Sequence, residues 1–293
     1  MGATTMQKVL VTGGAGFIGS NLALTIQERW PKARITVVDD FRSGSFKNLQ
    51  GFRGDVVAKN CVDYTSKTTF DVIFHLASIT DTTVHDERLM VHDNVEGFRA
   101  ILALKTKKLV YASSAATYGM DGARMSEKQV PVPANVYAFS KVILDNLGRG
   151  RAVGLKFFNV YGPRESHKGA ASSMIYQLWQ QMAAGKRPRI FKMGEQKRDF
   201  VYVKDVVEAT LRGATAPKGV YNVGSGKARS FNDIISALNS VLGTGYKPHY
   251  FDNPYDFYQS FTEADLATSK RKLKYTPAWP LEKGIADYVR NGA

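Results

Sequence analysis

At 293 residues, 44% hydrophobic and 23% charged, the chain has an ordinary globular composition and room for one large domain or two unequal ones. Its formal charge of +14 comes from scattered Lys and Arg without interleaved aromatics, which argues for a solubilising surface that steers anionic ligands rather than for nucleic-acid binding. One cysteine, Cys61, excludes an internal disulfide, and no apolar run approaches the roughly 18 residues of a membrane span, so a cytoplasmic enzyme without a membrane partner is expected.

The first element is a short apolar run, Val9 to Val11, which reads as a strand buried on both faces. Gly13, Gly16 and Gly19 follow at three-residue spacing, and a helical apolar pattern starts at Phe17. Such glycines permit a tight turn and close backbone approach, so the helix N-terminus can face a pyrophosphate. A second strand, Arg34 to Val38, ends in Asp39, twenty residues beyond Gly19, where a carboxylate meets a ribose hydroxyl. This is a dinucleotide-binding strand–helix–strand unit.

Alternation continues. Asp71 to Leu76 reads as a strand, Arg88 to Leu104 as a helix, and Lys108 to Ser113 as a strand. Val136 to Leu147 reads as a helix and Val153 to Val160 as a strand. The pattern predicts an α/β fold, a doubly wound parallel (Rossmann) sheet, with ligands beyond the carboxyl ends of its strands. Those ends carry Asp39, Leu76 to Ser78, Ser113 and Ser114, and Asn159 to Tyr161.

After Tyr161 the pattern loosens. An amphipathic stretch runs from Ser172 to Ala184, Phe200 to Val203 reads as a strand, Val206 to Arg212 as a helix, and Gly219 to Val223 as a strand. Ser230 with Asp233 three residues on opens a helix to about Leu242. A smaller, discontinuous substrate domain is expected from residues 164–197 and 225–293. The dinucleotide domain then takes 1–163 and about 198–224.

Tyr137 and Lys141 stand four apart on a helix and face one side. An ammonium beside a phenol favours phenolate and brings it into the range of an acid/base near neutral pH. With Ser114 at a strand end they form a Ser–Tyr–Lys set: Tyr137 the acid/base, Lys141 its electrostatic partner and a ribose contact, Ser114 a donor to the substrate oxygen. Competing chemistries fit poorly. The five histidines show no metal-ligand spacing, and His75 reads as a packed residue at a strand end. Gly224-Ser225-Gly226-Lys227 imitates a phosphate loop but has Ala228 where Ser or Thr should hold magnesium.

TGGAGFIGSN, YASSAATYG, Tyr137-x-x-x-Lys141 and FNVYGPRE resemble the extended short-chain dehydrogenases that modify nucleotide sugars. FNVYGPRESHKG from Phe158, KRDFVYVKDV from Lys197 and YQSFTEADL from Tyr258 narrow the likeness to the ADP-L-glycero-D-manno-heptose 6-epimerases of lipopolysaccharide synthesis. The resemblance implies cofactor contacts at Gly13, Gly16, Phe17, Ile18, Gly19, Asp39, Asp40, Lys67, Leu76, Ala77, Ser78, Asn94, Lys141 and Val160. It implies substrate contacts at Ser114, Asn159, Lys168, Gln177, Phe191, Arg198 and Tyr258, with Tyr137 and Lys168 as two acid/bases and no metal. Ala170 and Gln177 depart from the family's Ser and His, and Asn60 from an Asp near adenine.

Inverting a secondary alcohol without net redox requires removing a hydride, forming a ketone, and returning the hydride to the other face. The ketone must rotate, so its oxygen leaves the first acid and a second must meet it. Lys168 is the natural second group. Asp39 should repel a 2′-phosphate, but Arg42 and Lys47 lie just beyond, and the resemblance implies NADP, tightly bound, with NAD as the alternative. The leading expectation is an ADP-heptose epimerase, working as a homo-oligomer. A UDP-sugar 4-epimerase, dehydratase or dehydrogenase of the same fold is the alternative, and a non-catalytic dinucleotide-binding regulator a remote one.

Overall fold

The structure is a computed structural model in which residues 6–80, 86–120, 124–252 and 260–291 are described. The first half runs β1 (Lys8–Thr12), α1 (Phe17–Arg29), β2 (Arg34–Asp39), β3 (Asp55–Ala58), β4 (Phe70–His75), α2 (Glu87–Leu102), β5 (Thr106–Ser114) and α3 (Val136–Gly148). Then come β6 (Val153–Phe157), β7 (Asn159–Tyr161), α4 (Met174–Ala183), β8 (Arg189–Phe191), β9 (Lys197–Tyr202) and α5 (Val203–Gly213). The chain closes with β10 (Gly219–Val223), β11 (Ala228–Ser230), α6 (Phe231–Leu242), β12 (His249–Phe251) and α7 (Leu281–Asn291).

Among the described residues, seven strands form one parallel sheet in the order β10-β6-β5-β4-β1-β2-β3. The chain winds outward from β1 through β2 to β3, then returns to β4 on the other side of β1. This reversal opens a crevice at the carboxyl ends of β1 and β4, where a doubly wound sheet binds its ligand. Register aligns those ends: Thr12 pairs with Val38 and His75, His75 with Tyr111, and Ser114 with Phe157.

Why β1 is apolar at every interior position follows from this placement. Val9 and Val11 belong to the core on one face, with Leu22 and Ile26 of α1. Leu10 belongs to the other, with Phe98 of α2 and Leu144 of α3. All are fully or nearly fully buried, each contributing roughly 1.5–3 kcal/mol of transfer free energy.

A second, smaller domain carries α4, α6 and the two-stranded β12-β8 pairing, and the three-stranded sheet β11-β9-β7 adjoins it. The expected start of α6 is present in full. Ser230 Oγ accepts from Asp233 N–H, the Asp233 carboxylate accepts from Ser230 N–H at 2.8 Å, and Gly243 ends the helix at φ 66°.

One expected strand is two. Over Val153–Val160 the main-sheet strand stops at Phe157; Phe158 buries its ring and donates its N–H to Val223 O at 3.1 Å, and β7 pairs with β9 instead. Tyr161 therefore leaves the crevice and packs against Tyr202, ring centres 5.2 Å apart. Sequence patterning also passed over β3, four residues on an exposed edge, and α7. No helix among the described residues is long and apolar enough to cross a membrane.

Candidate active site

A cleft of about 940 Å³ opens at the carboxyl ends of the central strands. Its floor is the glycine turn after β1. Gly13 has φ 67°, and a Cβ there would lie 2.6 Å from Ala77 N; a Cβ on Gly19 would lie 2.0 Å from Gly13 O. Only glycine lets the turn, the strand and the loop after β4 meet this closely. At the start of α1, Gly16 provides no side-chain cap and the first turn has no acidic residue, so this end can receive an anion. Two buried polar atoms in residues of the wall, His75 Nε2 and Ser113 Oγ, have no hydrogen-bond partner. A glycine cradle at a helix N-terminus with orphaned polar atoms beside it fits a dinucleotide.

Asp39 ends β2 and closes the turn: its carboxylate accepts from Ala15 N–H and from Phe41 N–H, each at 2.9 Å. Burial raises its pKa, and those two N–H groups oppose the rise. Asn94 lines the cleft, yet its amide holds the loop after β4, accepting from Ile79 N–H at 2.8 Å and donating to Ser140 Oγ at 3.0 Å. His75 is stacked on Phe98 with Nδ1 2.8 Å from Thr12 Oγ1, and burial holds its pKa down at about 3.

Tyr137 and Lys141 come from the first turns of α3, which Asn135 caps by accepting from Ala138 N–H. Lys141 is buried, donates from Nζ to Ala112 O at 2.9 Å, and has its pKa lowered to about 8 by burial, against the pull of Asp145. Burial raises the Tyr137 phenol, while a hydrogen bond with the Ser114 hydroxyl works the other way. Ser114 Oγ also accepts from Ala116 N–H at 3.1 Å. Behind α3, Lys156 pairs with Asp145 at 2.8 Å.

Lys168 lines the cleft from the turn Ser166–Ala171, its Nζ 5.9 Å from the centre of the Phe17 ring. Buried Glu165 fixes this turn, accepting from Gly162 N–H at 3.0 Å and Ser173 N–H at 2.6 Å. His167 Nδ1 lies 3.0 Å from Asn48 Nδ2, which also donates to Ala15 O at 3.0 Å and so ties the Lys168 turn to the glycine turn.

The cleft therefore gathers most of the sequence candidates: Gly13, Gly16, Phe17, Ile18, Gly19, Asp39, Asp40, Leu76, Ala77, Ser78, Asn94, Ser114, Tyr137, Lys141, Asn159, Val160, Lys168, Phe191 and Arg198. Lys67 and Gln177 are not among its lining residues; Gln177 Nε2 instead donates to Ala170 O at 3.1 Å and Ser172 O at 2.9 Å. Tyr258 lies outside the described residues. Sequence reasoning missed Lys59, Asp93, His167, Phe200 and Phe231, which also line the cleft. Phe200 was visible within KRDFVYVKDV; Lys59 follows the unpatterned edge strand β3 and carried no signal. The imitation phosphate loop is spent internally: Ser225 N–H and Gly226 N–H donate to the Asp199 carboxylate at 2.6 and 2.9 Å.

A family model described as the NAD dependent epimerase/dehydratase family matches residues 9–224. The chain belongs to that family. Among solved structures, the ADP-L-glycero-D-manno-heptose-6-epimerase of Helicobacter pylori is 40% identical, with a TM-score of 0.92 over 98% of this chain and 96% of that one. The UDP-glucose 4-epimerase of Thermotoga maritima, solved with UDP-glucose, is 26% identical, with a TM-score of 0.89 over 97% and 98%. The UDP-glucuronic acid 4-epimerase of Bacillus cereus, solved with UDP-glucuronic acid and NAD, is 26% identical, with a TM-score of 0.83 over 97% and 99%. The protein is an enzyme, an isomerase of the nucleotide-sugar epimerase kind, as its motifs implied.

Proposed function

We propose that this enzyme is an ADP-glyceromanno-heptose 6-epimerase, interconverting ADP-D-glycero- and ADP-L-glycero-D-manno-heptose for lipopolysaccharide core synthesis in the cytoplasm. The observation that carries this reading is the meeting of Tyr137 and Lys168, from unrelated elements, in one cleft. The 40% identity to the Helicobacter pylori enzyme over nearly the whole chain supports the choice of sugar.

A nicotinamide dinucleotide bound on the glycine turn supplies reversible hydride acceptance. Gly13, Gly16 and the first turn of α1 would hold its pyrophosphate, Asp39 and Asp40 its adenosine ribose, and Lys141 its other ribose. Tyr137 takes the proton of the substrate hydroxyl in one epimer and gives it back. Ser114, its Oγ fixed by Ala116 N–H, donates to the same oxygen, and the Lys141 ammonium favours the phenolate. After the ketone turns about one exocyclic C–C bond, Lys168 meets its oxygen and donates a proton to it as the hydride returns to the other face of the carbonyl carbon; the proton gained by Tyr137 and the one given up by Lys168 are then exchanged with solvent. Glu165 and Asn48 hold the Lys168 turn in place. Arg198, Asn159 and the Phe191, Phe200 and Phe231 side chains bind the nucleotide and sugar. The substrate-binding part takes residues 164–197 and 225–293, with the rest assigned to the dinucleotide domain.

The test is incubation with ADP-D-glycero-D-manno-heptose and a panel of UDP-, GDP- and dTDP-sugars, followed by NMR of the products. Inversion at C6 of the heptose is expected. Epimerisation of a UDP-sugar alone would replace the heptose reading with the 4-epimerase one.

A further inference from the structure

Ser114 and Lys141 reach the cleft from different elements, β5 and α3, and a buried polar chain joins their supports from behind. The Thr117 hydroxyl donates to Ser114 O at 2.8 Å. Lys156 Nζ, on β6, donates to that Thr117 hydroxyl and, at 2.8 Å, to Asp145 Oδ2. Asp145 follows Lys141 by one helical turn on α3, and its other carboxylate oxygen accepts from Tyr111 OH of β5 at 3.0 Å. The side chains of Lys156 and Asp145 are 6% and 13% exposed, and neither lines the cleft. Lys156 Nζ also lies 4.9 Å from the centre of the Tyr118 ring. A buried ion pair seldom gains over two apolar side chains of similar size, since both charges must leave water. This pair stands where the supports of Ser114 and Lys141 converge.

We propose that Asp145 and Lys156 are positioning residues for the epimerisation, Lys156 fixing Ser114 through Thr117 and Asp145 acting on Lys141 through its charge. The inference rests on the Ser114–Tyr137–Lys141 reading of the cleft. One helical turn separates the Asp145 carboxylate from the Lys141 ammonium, and the buried setting screens their attraction weakly. Burial holds Lys141 down at about 8, and Asp145 opposes that fall. The other titratable neighbours are His75 on β4, Tyr111 on β5, Tyr118 on the turn after β5 and Tyr137 on α3. Burial lowers the imidazole and raises the phenols, so all four are neutral near pH 7 in the cofactor-free protein. Asp71, Lys107 and Lys108 stand at the far, amino ends of β4 and β5. On α2, Glu96 pairs with Arg99 and Asp93 with Arg42 and His92, while Glu87 and Arg88 are exposed. Asp145 and Lys156 therefore set the charge behind Lys141. Because each tempers the other, removing one partner changes that charge in the opposite direction from removing the other.

The test is an NMR pH titration of cofactor-free enzyme labelled with ¹³C at lysine Cε, the Lys141 resonance being identified by its loss in Lys141→Met. Asp145→Asn should lower the Lys141 midpoint by about one pH unit and Lys156→Met should raise it by a similar amount. The double variant should return it close to wild type, which a merely structural role for the pair does not give. Either single variant suffices if the other fails to fold by circular dichroism, because the two shifts differ in sign. Turnover of ADP-D-glycero-D-manno-heptose should follow, with the pH of maximal kcat moving in the same direction as the midpoint. Thr117→Val should lower kcat about tenfold through misplacement of Ser114, with KM and the Lys141 midpoint unchanged. A midpoint that stays put, or moves the same way in both single variants, would overturn the role of Asp145. Unchanged kcat in Thr117→Val would overturn that of Lys156. Wild-type enzyme inert on the heptose would instead overturn the choice of sugar, and the Lys141 midpoints would still decide the role of Asp145.

Discussion

Lys141 Nζ sits 5.6 Å from the centre of the Tyr137 ring, four residues earlier on the same helix, and donates to Ala112 O on the neighbouring strand. The lysine is thereby locked between α3 and β5, buried beside the ring of Tyr137. Helix spacing alone puts the two side chains on one face; the hydrogen bond to β5 fixes the ammonium there.

Tyr137→Phe should leave the fold and dinucleotide binding intact and lower turnover by about 10²–10⁴-fold, the usual contribution of a general acid/base. Circular dichroism, cofactor titration and NMR of product formation check the three parts. Near-normal turnover would remove Tyr137 from the chemistry.

Lys168→Met tests the two-acid reading. Epimerisation should slow strongly, while one epimer, presented alone, still exchanges a hydride through Tyr137. Tyr137→Phe should show the opposite preference between epimers. Stopped-flow absorbance of the reduced nicotinamide distinguishes the cases. If Lys168→Met only raises KM and turns over both epimers normally at saturation, Lys168 is a phosphate ligand.

Buried Lys141 has a linkage signature. Its pKa falls from 10.5 unfolded to about 8 folded, because burial disfavours the ammonium. Below pH 8 both states carry the proton, and the folded protein bears the full burial cost, about 3 kcal/mol. Between pH 8 and 10.5 the unfolded chain holds a proton that the folded one has released, so stability rises with pH over that window. Lys141→Met should abolish catalysis yet stabilise the cofactor-free protein near pH 7. Its advantage should shrink as pH is raised towards 10.5, as read by urea unfolding. A gap that does not change with pH would contradict the assignment.

His75 works in the opposite pH range. Burial lowers its pKa from 6.5 to about 3, with Lys141 acting in the same direction. The unfolded chain takes up a proton that the folded one refuses, so stability is retained above pH 6.5 and lost progressively as pH falls towards 3. The loss reaches roughly 5 kcal/mol at most. His75→Gln should flatten this acid limb, which urea midpoints measured from pH 7 down to pH 4 would register. An acid limb as steep as that of wild type would show that other groups dominate it.

The sequence by itself determined the alternation of strands and helices in the first half, the glycine turn, and the pairing of Tyr137 with Lys141. These are local features, set by residue spacing along one element: apolar runs for strands buried on both faces, three-residue glycine steps, a four-residue helical step. Ser230 and Asp233 belong with them, since a capping box is complete within four residues. Only the tertiary structure decided the rest. The expected strand over Val153–Val160 divides after Phe158, whose N–H makes the last bond to β10 at Val223 O, because Asn159 to Tyr161 pair instead with Phe200 to Tyr202 of β9 in a second sheet. Lys168 reaches the cleft because Asn48 and Glu165 tie its turn to the glycine turn and to Ser173. Arg42 is a cation just beyond Asp39 in the sequence, but in the fold Asp93, fifty-one positions on, pairs with it at 2.7 Å. A side chain's charge is written in the sequence, but whether that charge is free depends on which partners the fold brings within hydrogen-bond reach, and those partners come from distant segments.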